Sequence, residues 1–122
     1  MRDRLAQLRY VVLRHEGVAE PHFDLMFETS PGSVLRTWRA PRWPLKAGDL
    51  LTGLGEHRRA YLVFEGPVSG GRGFVQRVCA GTIELTRSDP HAIDALLDGV
   101  TELTLVSEQH DTWRCVKTSI HG

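Results

Sequence analysis

The chain has 122 residues, 41% of them hydrophobic and 25% charged, with 15 bases balanced by 15 acids. That length fits one domain, since domains run about 50–250 residues, and the composition excludes a disordered chain, a collagen and a coiled coil. No apolar run approaches the roughly 18 residues that span a bilayer, and Met1-Arg2-Asp3-Arg4 lacks a signal peptide's apolar stretch, so the expectation is a cytoplasmic protein with no membrane partner. In a reducing compartment Cys79 and Cys115 are expected as two buried thiols.

Short strands and turns dominate. Leu8 to Leu13 is apolar and rich in strand formers, and His22 to Glu28 alternates with period two. The alternation sets Phe23, Leu25 and Phe27 on one face and His22, Asp24, Met26 and Glu28 on the other. Ser30-Pro31-Gly32-Ser33 reads as a turn, with Val34 to Trp38 returning as the partner of a hairpin. Two prolines mark Ala40 to Pro44 as a loop. Further strands are expected at Leu50–Leu54, Ala60–Phe64, Phe74–Cys79, Gly81–Thr86, Glu102–Val106 and Thr112–Thr118. One helix is expected, capped by Ser88 or Asp89, opened by Pro90, striped by Ile93, Leu96 and Leu97 and stopped by Gly99. The fold class is therefore mainly β, a small closed or partly open barrel of about eight strands with one short helix. Ser69-Gly70-Gly71-Arg72-Gly73 lacks the following helix that a phosphate-binding loop requires and reads as a flexible hairpin loop.

Charge is unevenly placed. Residues 30–80 hold eight bases against three acids, and residues 81–122 hold three bases against seven acids. Thirteen of the fifteen bases are arginine, whose planar fork suits phosphate, so the basic middle invites an anionic ligand. A zero net charge is not the mark of a non-specific nucleic-acid binder.

Two constellations bear chemistry. His22 and Asp24, two apart on one strand, leave the same face, and with His15 at the end of the first strand they offer two imidazoles and a carboxylate to a divalent transition ion. His57 and Tyr61, separated by Arg58, Arg59 and Ala60, suit an oxyanion; a polar loop leading into an edge strand is the plainer account. His91, His110 and His121 carry no assignment.

The order of these motifs resembles the 3'-phosphoesterase domain of bacterial DNA ligase D and its stand-alone relatives. That family opens on a strand close to Phe-Val-Val-Gln-Lys-His, followed by His-Tyr-Asp-Phe-Arg-Leu-Glu; this chain has Tyr10-Val11-Val12-Leu13-Arg14-His15 and then His22-Phe23-Asp24-Leu25-Met26-Phe27-Glu28. The family's Leu-Lys-Ser-Trp-Ala-Val-Pro-Lys-Gly-Pro is matched by Leu35-Arg36-Thr37-Trp38-Arg39-Ala40-Pro41-Arg42-Trp43-Pro44. Its His-x-x-x-Tyr and Phe-Glu-Gly are matched by His57, Tyr61 and Phe64-Glu65-Gly66, and its late Trp-x-x-x-Lys by Trp113 and Lys117.

The similarity spans residues 8–118 and implies a single 3'-phosphoesterase-like domain over 1–122. It also implies a catalytic groove holding a divalent metal, manganese first, with zinc or cobalt as alternatives. His15, His22 and Asp24 would be the metal ligands, His57 and Tyr61 would contact the scissile phosphate, and Arg42 takes the place of a basic residue of the groove. The implied activity removes a 3'-ribonucleotide or 3'-phosphate from DNA or RNA–DNA 3' ends during repair, beside a separate ligase or polymerase. Three departures stand out: Leu13 replaces a glutamine, Met26 replaces an arginine, and the loop between His15 and His22, which includes Gly17 and Pro21, is one residue longer. Met26 is expected in the groove beside His22 and Asp24, so Met26→Arg is expected to raise activity. Those departures also fit a weakened relative that binds a metal, nucleic-acid ends or a repair partner without cleaving; a small-nucleotide hydrolase is a third possibility.

Overall fold

The computed structural model describes residues 7–120; Met1 to Arg4 and His121 lie outside the described residues. Nine strands are present: β1 (Leu8–Glu16), β2 (His22–Glu28), β3 (Leu35–Ala40), β4 (Leu50–His57), β5 (Gly66–Pro67), β6 (Phe74–Asp89), β7 (Ala92–Leu97), β8 (Thr101–Gln109) and β9 (Thr112–Ile120). Eight of them run in the antiparallel order β1-β2-β3-β4-β9-β8-β7-β6 and close where β6 pairs with β1; β5 adds a short ninth strand beside β6. The expected barrel is what forms.

The sixteen-residue β6 unites the two expected strands on either side of Ala80. A bulge between its pairings with Val12 and Leu13 bends it, which lets its first half pair with β1 and its second half with β7. The period-two pattern of β2 explains the interior. Leu25 and Phe27 point inward to meet Tyr10, Val12, Trp38, Leu51, Ile93, Leu105 and Trp113, all buried. Trp38 stacks edge-on against Trp113 at 5.4 Å and tilts against Phe27 at 5.3 Å. Each such side chain fully removed from water contributes about 1.5–3 kcal/mol.

Two local expectations are corrected. Residues 88–99 form no helix: β6 ends at Asp89, Pro90 and His91 make the turn, and β7 runs antiparallel to both β6 and β8. Asp89 Oδ1 accepts from the His91 and Ala92 amides at 2.8 and 3.0 Å, the same bonds a helix cap would make, here closing a hairpin. Ile93, Ala95 and Leu97 then fill the barrel with period two. Residues 60–64 form no strand either: Arg59–Leu62 is a single 3-10 turn, with the Tyr61 amide bonded to the Arg58 carbonyl and the Val63 amide to that of Ala60.

The outer face of the barrel is not uniformly wet. Val11, Leu13, Met26, Leu35 and Val75 point outward and are buried beneath Leu62 of the 3-10 turn, with Tyr61 packed against them. This second apolar cluster makes the outward face of β2 a buried surface along its length: His22, Asp24, Met26 and Glu28 are each at most 7% exposed. Among the described residues no helix is long and apolar enough to cross a membrane. Cys79 and Cys115 are free thiols; Cys115 is buried and Cys79 half-buried.

Candidate metal centre

The β1–β2 hairpin builds the site. In its register His15 stands directly opposite His22, and Leu13 opposite Asp24. Facing residues of an antiparallel pair bring their side chains within about 5 Å, and the two imidazole rings lie 4.9 Å apart. Asp24 follows on the same face, two residues beyond His22. His15 Nδ1 lies 3.6 Å from Asp24 Oδ2, and His22 Nε2 lies 3.3 Å from Asp24 Oδ1. All three ligand atoms fall within 4.8 Å of one another.

Backbone carbonyls fix the tautomers. His22 Nδ1 bonds the Glu20 carbonyl at 2.8 Å, and His15 Nε2 bonds the Arg72 carbonyl at 2.8 Å. A carbonyl only accepts, so those nitrogens carry the hydrogens. In the neutral imidazoles the opposite nitrogens are therefore bare lone pairs, and both are turned toward a carboxylate. His22 Nε2 and Asp24 Oδ1 are buried with no hydrogen-bond partner, a state that costs about 1–3 kcal/mol per group. Three converging electron pairs without a proton between them are a donor set that could hold a divalent cation. The two imidazole–carboxylate contacts, 3.6 and 3.3 Å, are close to the roughly 3–3.5 Å between ligands that each stand about 2.0–2.1 Å from a shared ion. The three donors together spread over as much as 4.8 Å and would have to draw in around an ion. Imidazole ligands that donate their second N–H to a carbonyl are the usual arrangement around such ions.

The glycine-rich segment takes part without cradling anything. It is the loop before β6, and Gly73 packs so closely on β1 that a Cβ there would stand 2.1 Å from the Glu16 carbonyl oxygen. That approach, at a positive φ of 78°, delivers the Arg72 carbonyl to His15.

The other expected site residues fall elsewhere. His57 stands across from Leu35, which stands across from Glu28. Glu28 is four residues beyond Asp24, about 13 Å along the strand. His57 and Tyr61 contact each other edge-on, with ring centroids 5.9 Å apart, and His57 Nδ1 is buried without a partner. Among the described residues no hydrogen bond or ion pair joins either to the triad. Tyr61 is the nearer in kind, because it packs on the apolar cluster whose Leu13 and Val75 stand opposite Asp24 and His15. Arg42 lies in the loop after β3 and pairs with Asp49 at 3.2 Å.

Met26 is not in a groove. It is 2% exposed, faces Val11 across the β1–β2 ladder and packs with Leu13 and Leu62. The expectation of an open position there is corrected: Leu13 and Met26, two of the departures from the resembled pattern, belong to one sealed apolar cluster.

Sequence reasoning attached no role to Glu28. Its buried carboxylate receives the Arg59 guanidinium and, at 2.9 Å, the Arg9 amide, while Arg59 also donates to the Ser33 carbonyl at 2.9 Å. Glu28 thereby anchors the start of the turn that carries Tyr61. Burial alone would raise its pKa, but the Arg59 charge and the Arg9 and Gly32 amides prevail and hold it below the ordinary carboxylate value of 4.5. A carboxylate depressed on folding stabilises fully above that value, and the contribution is lost as pH falls through the lower folded pKa. Glu28→Gln is therefore expected to cost about 1–3 kcal/mol at pH 7. Urea titrations should show the gap to wild type closing as pH is lowered below the carboxylate range; a gap independent of pH would refute the ionic account.

No protein-family model matches this sequence, and no curated protein matches it.

Proposed function

We propose that this chain is a metal-dependent phosphoesterase that trims nucleic-acid 3' ends, taking off a terminal ribonucleotide or a 3'-phosphate in cytoplasmic DNA repair. One observation carries the reading: two imidazoles with carbonyl-fixed tautomers and one carboxylate turn bare lone pairs on a common point. His15, His22 and Asp24 would hold a divalent ion, manganese first and zinc or cobalt otherwise. Bound there, such an ion would polarise a phosphoryl oxygen. Tyr61 and His57, which the resemblance would put at the scissile phosphate, pack on each other toward the Glu28 end of β2 and would reach a phosphate held at the triad only if the 3-10 turn moved. Arg42 is a half-exposed cation beside the same loop and can meet the substrate only by leaving Asp49. The ordered motif resemblance supplies the choice of 3' ends and of a ligase or polymerase as partner.

The test is phosphate release from a 3'-phosphate DNA primer with manganese. Wild type is expected to turn over, and His22→Ala to fall at least about 100-fold with an unchanged circular dichroism spectrum. Wild-type turnover no higher than that of His22→Ala would overturn the reading. A second reading, binding of 3' ends without cleavage, is favoured by the sealing of positions 13 and 26 with apolar side chains. Salt-sensitive primer binding without product would select it.

A further inference from the structure

A hollow of about 280 Å³ opens beside His22, the one residue of the triad that lines it, with Arg39, Glu20 and Thr52 as its other polar walls and Pro21, Ala40, Pro41 and Leu50 as its apolar ones. That is just below the roughly 300–1,000 Å³ of small-molecule pockets, enough for a phosphate and part of a sugar. Arg39 stands directly opposite Asp24 in the β2–β3 register and opposite Thr52 in the β3–β4 register, so it shares their outward face. It is exposed, and among the described residues its guanidinium has no ion pair or hydrogen bond. Most neighbouring arginines are engaged: Arg14 with Glu16, Arg42 with Asp49, Arg59 with Glu28 and Arg72 with Ser69. In the resembled motif the residue at this place is alanine, so the cation belongs to this chain, as does the apolar residue at position 26.

We propose that Arg39 is the anion-binding residue of this hollow and that the group it takes, together with the triad, is a phosphate monoester. The inference rests on the triad holding a divalent ion, as in the reading above. Charge decides the class. A divalent ion with two neutral imidazoles and one carboxylate carries one net positive charge, and Arg39 adds a second. A monoester carries about −1.5 to −2 at pH 7, whereas a diester carries a single negative charge. Arg39 therefore favours the terminal phosphate over an internal linkage. Its fork can pair two phosphate oxygens while a third faces the ion. Glu20 also lines the hollow, but it is exposed, so solvent screens its charge more than that of the triad.

Two measurements test this. Inorganic phosphate is titrated into the zinc-loaded protein while arginine Nε–H signals are followed by NMR, with a 3'-mononucleotide and a 3'-phosphate primer as further arms. A saturable shift at Arg39, absent in His22→Ala, is expected; a shift at Arg39 no larger than at exposed Arg87 would overturn the assignment. Tighter binding of the primer than of the mononucleotide assigns the phosphate to a strand end, and the reverse to a free nucleotide. In kinetics, Arg39→Ala is expected to lower kcat/KM about 100-fold on a 3'-phosphate primer and under 10-fold on a 3'-ribonucleotide diester, with Arg39→Lys recovering part. Equal losses on both, or none, would overturn it while leaving the hydrolase standing. Phosphate bound at Arg39 without turnover of any primer would keep the assignment and overturn the hydrolase.

Discussion

Asp24→Asn is expected to abolish manganese binding in calorimetry while leaving the metal-free protein as stable as wild type or more so. The sign of the second effect follows from the lone pairs. The buried His22 Nε2 faces an oxygen that cannot donate to it. An asparagine can turn its amide N–H toward that nitrogen and satisfy it. If Asp24 were instead the partner of a charged histidine in a structural ion pair, its loss would destabilise the metal-free chain. Wild type should also gain about 2.7 kcal/mol when manganese is present at 100 times its Kd, roughly 10 °C in Tm for a domain of this size. Asp24→Asn should gain nothing. Absence of a manganese-dependent Tm rise in wild type, or a lower metal-free Tm in the variant, would remove the metal centre from the account.

Met26→Arg is expected to destabilise by about 3–5 kcal/mol, the cost of an uncompensated buried charge, and to lower activity through loss of the fold. Met26 lies among Val11, Leu13, Leu35, Leu62 and Val75; the carboxylates that flank it on its own strand face are Glu28, already paired with Arg59, and Asp24, which belongs to the triad. Met26→Leu, which conserves volume, should cost under about 1.5 kcal/mol. Urea unfolding of the two variants measures the contrast. An arginine tolerated within 1.5 kcal/mol, with faster phosphate release, would show that Leu62 and the 3-10 turn swing away to open a groove over β2. Together the two variants separate the roles of one strand face: Asp24 at the polar end proposed to hold a cation, Met26 in a seal that holds the turn bearing Tyr61.

Much of this was legible locally. His22–Glu28 forms a strand over the span its alternation indicated, since period two is a property of the extended backbone itself. The same period put His22 and Asp24 on one face, and placing His15 at the end of β1 sufficed for the hairpin to set it opposite His22. Other segments carried signals that two structures share. Asp89 makes the same two amide bonds at a helix start or in a tight turn, and Ile93, Leu96 and Leu97 suit a helical stripe. What decided for a strand was the presence of β6 on one side and β8 on the other to take up the backbone groups of residues 92–97.

By itself, then, the order of residues determined a β-rich chain, the pairing of an imidazole with a carboxylate on one strand face, and the turns that fold β1 onto β2 and β2 onto β3. Only the closed barrel decided that this outward face is buried, that Arg72 and Glu20 present carbonyls to the two histidines, and that Arg39, opposite Asp24, has no ion pair among the described residues. Those outcomes depend on contacts between residues far apart in the chain, such as His15 with Arg72, 57 positions away. Local backbone preference extends over a few residues, while burial and lone-pair direction are set by whichever distant strands close around them.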